Sequence, residues 1–165
     1  MYYIQSTSVV PTIDGILDEP LWNKLHVIKG LEQAEPNING IPSEKTDIKI
    51  CYDDNYLYIG VLLYNNINQI SYKNGSNDDF LGVFDSKSDY FIIELDTYHD
   101  HLTSYSFAVN SSGIKADYMI YNDGLIDDNW DAQWDANVHS LNKGWSIEYR
   151  IPFKNLRLGT GEDVT

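Results

Sequence analysis

The feature that most constrains this sequence is an alternation of apolar and polar residues with a period of two, which recurs along most of the chain. Successive side chains of a β-strand point to opposite faces, so this period predicts strands. Turn residues separate them, and the gaps leave no room for the helices that a parallel α/β sheet requires. We therefore predict an all-β fold, an antiparallel β-sandwich of the jelly-roll type. The predicted strands cover 47–52, 56–64, 90–95, 104–109, 114–121, 134–138 and 145–151.

One short helix is predicted near the N-terminus. Asp18 is placed to cap it, and Pro20 suits its first turn. Leu21, Trp22 and Leu25 would give the helix one apolar side. At the other end of the chain, 153–156 is predicted to form one helical turn.

Charge excludes several partners. The chain carries 25 acidic and 11 basic residues, a net charge of −14. Nucleic-acid binding requires clustered Lys or Arg, so we expect no nucleic-acid partner. Direct membrane insertion is not expected either, because no apolar run approaches the roughly 20 residues of a membrane span. The single cysteine, Cys51, excludes an internal disulfide and a cysteine zinc site, and its place on the strand face of Lys49 predicts partial exposure.

Six segments carry recognisable motifs. They are IDGILDEPLW from residue 13, YDDNYLYIGV from 52, LDTYHD from 95, FAVNSSG from 107, WDAQW from 130 and GWSIEYRIPF from 144. In this order they resemble the carbohydrate-binding module family 9-like domain, in particular the subgroup that precedes an uncharacterised barrel region in bacterial surface proteins. The resemblance implies a non-catalytic β-sandwich that binds a glycan or glycan end. It also implies an extracytoplasmic location: periplasmic, on the cell surface or secreted.

The sequence departs from the sugar-binding members at two places. Ile92 stands where the resemblance places a glutamate, and no Trp occurs between residues 23 and 129, so Phe80, Phe84 or Tyr90 would supply an aromatic platform there. The closing strand of the family is also missing. We therefore expect residues 1–165 to be a single domain cut from a longer chain, with the C-terminal region of the same polypeptide as a partner.

Sugar recognition needs an aromatic ring for stacking and planar polar groups for the hydroxyls. Trp130 lies among polar residues in a predicted loop over 122–133 and is our candidate platform; the alternative is an indole folded back over the end of the sandwich. Trp22, Trp134 and Trp145 are predicted to be core residues. The other candidate ligand-binding residues are Phe84, Asp89, Asn110, Asp117 and Asp128.

A metal site is a second candidate. Asp127, Asn129 and Asp131 copy the start of a calcium loop, in which alternating oxygens surround a hard cation. The pattern then fails as an EF-hand, because Ala132 and Val138 replace the expected Gly and Glu. Calcium would need further ligands from another loop, such as Asp78, Asp79 or Asp85, and the alternative is a solvated acidic loop.

Two other functions remain open. The domain could be a protein-interaction domain of an outer-membrane barrel protein with no sugar ligand. It could also bind haem, with Met119 and one of His99, His101 or His139 as axial ligands. No hydrolase, nucleotide-binding or zinc-protease motif is present, so we do not expect an enzyme.

Overall fold

The computed structural model describes residues 2–65, 83–84, 89–122 and 124–157. The chain divides into two compact units, Met1–Ile70 with Asp135–Arg150, and Ser71–Trp134 with Ile151–Thr165. A 3-10 turn spans Phe153–Asn155, as predicted. The other elements are β1 (Gln5–Ser6), α1 (Pro20–Lys24), β2 (Thr46–Tyr52), β3 (Tyr56–Tyr64), β4 (Tyr90–Leu95), β5 (Ser104–Asn110), β6 (Lys115–Tyr121), β7 (Leu125–Asp127), β8 (Asp135–Leu141) and β9 (Gly144–Pro152).

The first sheet has five strands in the order β1-β2-β3-β9-β8. β2 and β3 form an antiparallel hairpin. Its turn is closed by Asp53 Oδ1, which accepts the N–H groups of Asn55 and Tyr56 at 2.8 Å each. β3, which is apolar on both faces, is central in this sheet and is flanked by β2 and β9. β1 pairs with β2 in parallel and was not predicted.

α1 packs its apolar side into a buried cluster of the first unit. Leu21, Trp22 and Leu25 are buried there, as predicted. The predicted cap is wrong: the N-cap is Glu19 rather than Asp18, and no side chain caps the helix. Glu19 instead accepts hydrogen bonds from Thr12 N and Trp22 Nε1. No helix in the described part of the chain is long and apolar enough to cross a membrane.

Cys51 is buried in the same cluster, and the predicted partial exposure is wrong. Helix α1 covers the strand face that carries Cys51, which alternation within one strand cannot reveal. Burial, assisted by the nearby Asp53 carboxylate, raises the pKa of the thiol to about 11. A thiol held in its neutral form is a poor nucleophile, so Cys51 is a packing residue.

The second sheet has four strands in the order β4-β5-β6-β7, and all three pairs are antiparallel. β4, β5 and β6 match the predicted strands. β7 lies within residues 122–133, where we predicted only a loop, so that prediction is corrected. A three-residue strand is too short to show a period, and its pairing with β6 defines it.

Candidate functional site

The register of the second sheet gathers a mixed aromatic and polar surface on one of its faces. Ile92 pairs with Ala108, Glu94 with Ser106, and Ser106 with Tyr118, so these side chains share a face. Tyr90 shares it too, because it lies two residues before Ile92. We call this surface the Tyr90 face and define it by Tyr90, Ile92, Glu94, Ser106 and Tyr118.

An aromatic group stands at one end of the Tyr90 face. The rings of Phe84 and Tyr90 meet edge to face with centroids 5.2 Å apart, and Phe84 also contacts the ring of Tyr118 at 5.9 Å. The Tyr90 side is open, because Tyr90 is 46% exposed. Val83 anchors this end: it is fully buried against the small side chains of Ala108 and Ala116. The platform therefore rests on a packed base.

A carboxylate lies further along the same face. Glu94 is exposed, and its carboxylate interacts with the hydroxyl group of the buried Tyr118. Burial raises the pKa of Tyr118, Glu94 raises it further, and nearby Ser106 partly offsets this. Tyr118 therefore stays protonated at neutral pH and keeps a donor beside the Glu94 carboxylate.

A cleft of about 390 Å³ continues from Glu94 toward the β4–β5 turn. Its walls supply hydroxyls, two carboxylates and an imidazole, together with apolar side chains. It is lined by Glu94, Asp96, His101, Leu102, Thr103, Ser104, Ile120 and Gly124. Together with Tyr90 and Phe84, the second unit thus offers stacking and hydrogen bonding on one face.

Asp96 fixes the turn that walls this cleft. Its carboxylate accepts the N–H groups of Tyr98, Asp100 and His101 at 3.2, 3.3 and 2.9 Å. These N–H donors lower the pKa of Asp96, although burial opposes them, so the carboxylate stays charged. His99 and His101 adopt positive φ angles of 54° and 57° within the turn. Both histidines are exposed, so they lie in a surface turn.

The six predicted ligand residues separate into two groups. Phe84 packs on the aromatic end of the Tyr90 face, and Asp89 and Asn110 lie at the same end. Asp89 O accepts from Ser111 N at 2.8 Å. Asn110 Oδ1 accepts from Ser112 N and Ile114 N, while its buried Nδ2 has no partner among the residues described. Asn110 therefore builds the β5–β6 turn, and its predicted sugar contact stays a prediction.

Trp130 lies on the opposite face. Its ring centroid is 5.0 Å from that of Tyr105 and 5.8 Å from that of Phe107. Phe107 pairs with Asp117, whereas the Tyr90 face carries Ser106 and Tyr118, so the two aromatic groups point away from each other. Trp130 is half-buried and Asp128 is exposed. The indole thus packs on the sheet while part of it remains accessible, and its role as a platform stays a prediction.

Asp117 is a buried acceptor on this opposite face. It accepts Trp134 Nε1 at 3.0 Å on Oδ1 and Ala132 N at 2.7 Å on Oδ2. Both oxygens thus hold the segment that follows β7. Trp134 is buried, and so are Trp145 and Trp22, which confirms all three as core residues.

The predicted calcium ligands do not form a cluster of acidic, histidine or cysteine side chains in the part of the chain that is described. Asp127 Oδ1 accepts the backbone N–H of Asn129 at 3.1 Å and its side-chain amide at 3.3 Å, and Asp131 is exposed. Asp78, Asp79, Asp85 and Phe80 lie outside the described residues. Calcium binding therefore stays a prediction. So does haem ligation by Met119 and a histidine.

Sequence reasoning missed two carboxylates, one in the candidate site and one in the buried part of the first unit. Glu94 could have been found, because it falls on the same alternation as Tyr90. The other is Glu148 in β9, whose Oε2 accepts the N–H groups of Asp14 and Gly15 at 2.9 Å each and whose Oε1 accepts Trp22 Nε1 at 2.8 Å. Burial raises the pKa of Glu148 to about 7, although these donors oppose the shift. No local signal in the sequence joins residues so far apart.

Comparison with known proteins rests on solved structures. No protein-family model matches the sequence, and no curated protein matches it. A carbohydrate binding module family 9 structure from Caldicellulosiruptor kristjanssonii, in complex with glucose, has a TM-score of 0.60 and 19% identity, over 99% of this chain and 71% of that one. A structure of a carbohydrate binding module family 9 from the same organism, in complex with cellotriose, has a TM-score of 0.59 and 19% identity. The match covers 90% of this chain and 66% of that one.

A candidate carbohydrate-binding protein from Bacteroides uniformis is also similar, with a TM-score of 0.62 and 8% identity, over 92% of this chain and 72% of that one. These likenesses confirm the predicted fold class. The chain has the β-sandwich fold of carbohydrate-binding module family 9.

Proposed function

We propose that this chain is a non-catalytic carbohydrate-binding module that holds a glycan on the Tyr90 face. Solved modules with the same fold carry glucose or cellotriose, which supports this class of ligand. The observation that carries the proposal is local: a 46% exposed Tyr90 ring and the Glu94 carboxylate share a face that opens into a cleft of about 390 Å³.

The chemistry of this face suits a sugar ring. The apolar C–H face of a pyranose would stack on Tyr90, which Phe84 holds edge-on. Glu94 would accept sugar hydroxyls, and Thr103 and Ser104 at the cleft could both donate and accept. An aromatic ring beside a mixed set of donors and acceptors favours a neutral polyol over an anion or a purely apolar ligand.

The proposal assigns no reaction to the site. Glycoside cleavage uses two carboxyl groups with different protonation states. Glu94 and Asp96 both line the cleft, but Asp96 is engaged by backbone N–H groups that lower its pKa. It therefore serves the turn rather than the proton transfers of a hydrolase, which supports a binding role.

The setting of the module is part of the proposal. We infer that it acts outside the cytoplasm, in the periplasm, on the cell surface or as a secreted protein, as one part of a larger polypeptide. The C-terminal region of that polypeptide would be its partner. A glycan-binding module serves such a protein by holding it at its substrate or at a cell envelope.

Calorimetric titration with glucose and cellotriose tests the proposal. Tyr90→Ala should weaken binding about tenfold, because the stacking surface is lost. Glu94→Gln should weaken it by a similar factor through the lost charged acceptor. Tyr3→Ala is the control: Tyr3 is 86% exposed in the other unit, and its loss should leave affinity unchanged.

Two outcomes would count against the proposal. If neither sugar releases heat or shifts the thermal midpoint of unfolding, the glycan function is wrong. If Trp130→Ala abolishes binding while Tyr90→Ala does not, the function stands but the site is wrong, and the opposite face of the sheet is the binding face.

A further inference from the structure

We propose that the first unit carries a second, separate contact site for a neutral glycan, at the end of β3. The site is a cleft of about 460 Å³ lined by Glu44, Tyr64, Asn65, Asn142 and Lys143. We call these residues, together with Lys45, the Tyr64 patch. This inference does not depend on the Tyr90 face, because it stands on side chains of the other unit.

Tyr64 supplies a platform that is already fixed. The side chain is 37% exposed, and its hydroxyl donates to Asp47 Oδ2 at 3.1 Å. The ammonium group of Lys45 lies 4.7 Å from the ring centroid and pairs with the same carboxylate at 2.5 Å. Lys45 thus lies over one face of the ring, and the side chain as a whole remains partly exposed. A ring held on two sides loses little rotamer freedom when a sugar stacks on it.

The backbone fixes the segments that carry the polar residues of this cleft. Asn65 N donates to Lys143 O at 3.3 Å, which ties the β8–β9 turn to the end of β3. Gly144, at φ +125°, allows this approach, because a Cβ atom there would lie 1.9 Å from Leu63 O. The side chains of Asn142 and Lys143 are therefore presented by a turn whose position is set by the sheet.

The mixture of groups around Tyr64 points to an uncharged sugar. Asn65 and Asn142 offer amide donors and acceptors, and an amide pair can bind two adjacent hydroxyls. Glu44 and Lys143 carry opposite charges, and the Lys45 charge is already matched by Asp47. The patch has no excess charge to select an acidic or basic ligand.

The test is a titration of the full chain with cellotriose, followed by the side-chain amide NMR signals of Asn65 and Asn142. It uses the Tyr90→Ala variant, in which the Tyr90 face binds more weakly, and it reads only signals that belong to the Tyr64 patch. We expect both amide signals to shift and saturate with cellotriose. Adding Tyr64→Ala should weaken this binding about tenfold. Adding Tyr64→Phe, which keeps the ring, should change the affinity for cellotriose by only a small factor.

Clear outcomes would overturn the inference. The inference is wrong if the amide signals of Asn65 and Asn142 do not shift at any cellotriose concentration up to its solubility limit. It is also wrong if they shift and saturate but Tyr64→Ala leaves the affinity unchanged. Because Tyr64→Ala also removes a hydrogen bond to Asp47, Asn142→Ala is a second variant that spares this network; it should weaken binding while leaving the thermal midpoint intact. In the wild-type protein, the NMR signals of residues on the Tyr90 face report on the first site independently. Loss of binding at one site is therefore distinguishable from loss of binding at the other.

Discussion

The indole Nε1 of Trp22 donates a 2.8 Å hydrogen bond to Oε1 of Glu148, 126 residues later in the chain. The second oxygen of Glu148 accepts the N–H groups of Asp14 and Gly15. One buried carboxylate thus holds both the N-terminal turn and helix α1 to β9. Three donors stabilise it, yet its burial still favours the protonated form.

The first prediction concerns pH. Burial raises the pKa of Glu148 from 4.5 to about 7 in the folded state. Folding therefore favours proton binding between these values, so the free energy of unfolding should fall as pH rises from about 5 to about 7, by on the order of 3 kcal/mol at most. Denaturant unfolding at a series of pH values measures this. Glu148→Gln should remove the dependence, and Glu32→Gln, at an exposed position, should keep it. If the free energy of unfolding of Glu148→Gln falls with pH as steeply as that of the wild type, this carboxyl group does not titrate between about pH 5 and 7.

The second prediction concerns Asp117. Replacing it by Asn puts an amide donor against Trp134 Nε1 or Ala132 N, and a buried polar group then loses its partner. Asp117→Asn should lower the free energy of unfolding by about 1–3 kcal/mol. Asp128→Asn, which makes the same change at an exposed position, should shift it by less than about 0.5 kcal/mol. Chemical denaturation of the two variants measures both values, and equal effects would remove the structural role assigned to Asp117.

These contacts show where sequence reasoning ends. A period of two predicted β2 to β6 and β8 and β9, because each is long enough to bury one face. It missed β1 and β7, whose two and three residues show no period. Alternation also places Asp117 and Tyr118 on opposite faces, but it cannot show that Trp134 reaches Asp117. The donors of Glu148 come from a turn and from helix α1, which only folding brings to β9.

The candidate site was predictable in part. The aromatic alternatives Phe84 and Tyr90 followed from the absence of Trp between residues 23 and 129, and the structure brings their rings together. Trp130 was chosen because polar residues surround it in the sequence. Its contacts with Tyr105 and Phe107 depend on strand pairing, which the composition of a loop does not reveal.

A matched pair of glycines gives the third prediction. Gly144 and Gly124 have similar φ angles, +125° and +131°, but a Cβ atom at Gly144 would collide with Leu63 O, whereas one at Gly124 meets nothing within 4 Å. Both Gly→Ala variants should carry the strain of positive φ, about 1–2 kcal/mol. Gly144→Ala should cost more by at least about 1 kcal/mol. Thermal unfolding compares them, and equal midpoints would contradict the close approach of β9 to β3.

The fourth prediction uses intrinsic fluorescence. The described part of the Tyr90 face contains Phe84, Tyr90 and Tyr118 but no Trp, whereas Trp130 lies on the opposite face. Tryptophan emission, excited at a wavelength that tyrosine does not absorb, should therefore stay constant while cellotriose binds, even though calorimetry reports binding. A saturable change in emission that disappears in Trp130→Ala would place the ligand at Trp130 instead.

The alternation along β6 has a consequence for how such a module can diversify. Asp117 and Tyr118 are neighbours in the chain, yet one secures the segment around Trp134 and the other backs the face proposed for ligands. Tolerance to substitution should therefore rise and fall from one residue to the next. Evolution or an engineer could retune recognition at every second position of a strand while the intervening positions preserve its architecture.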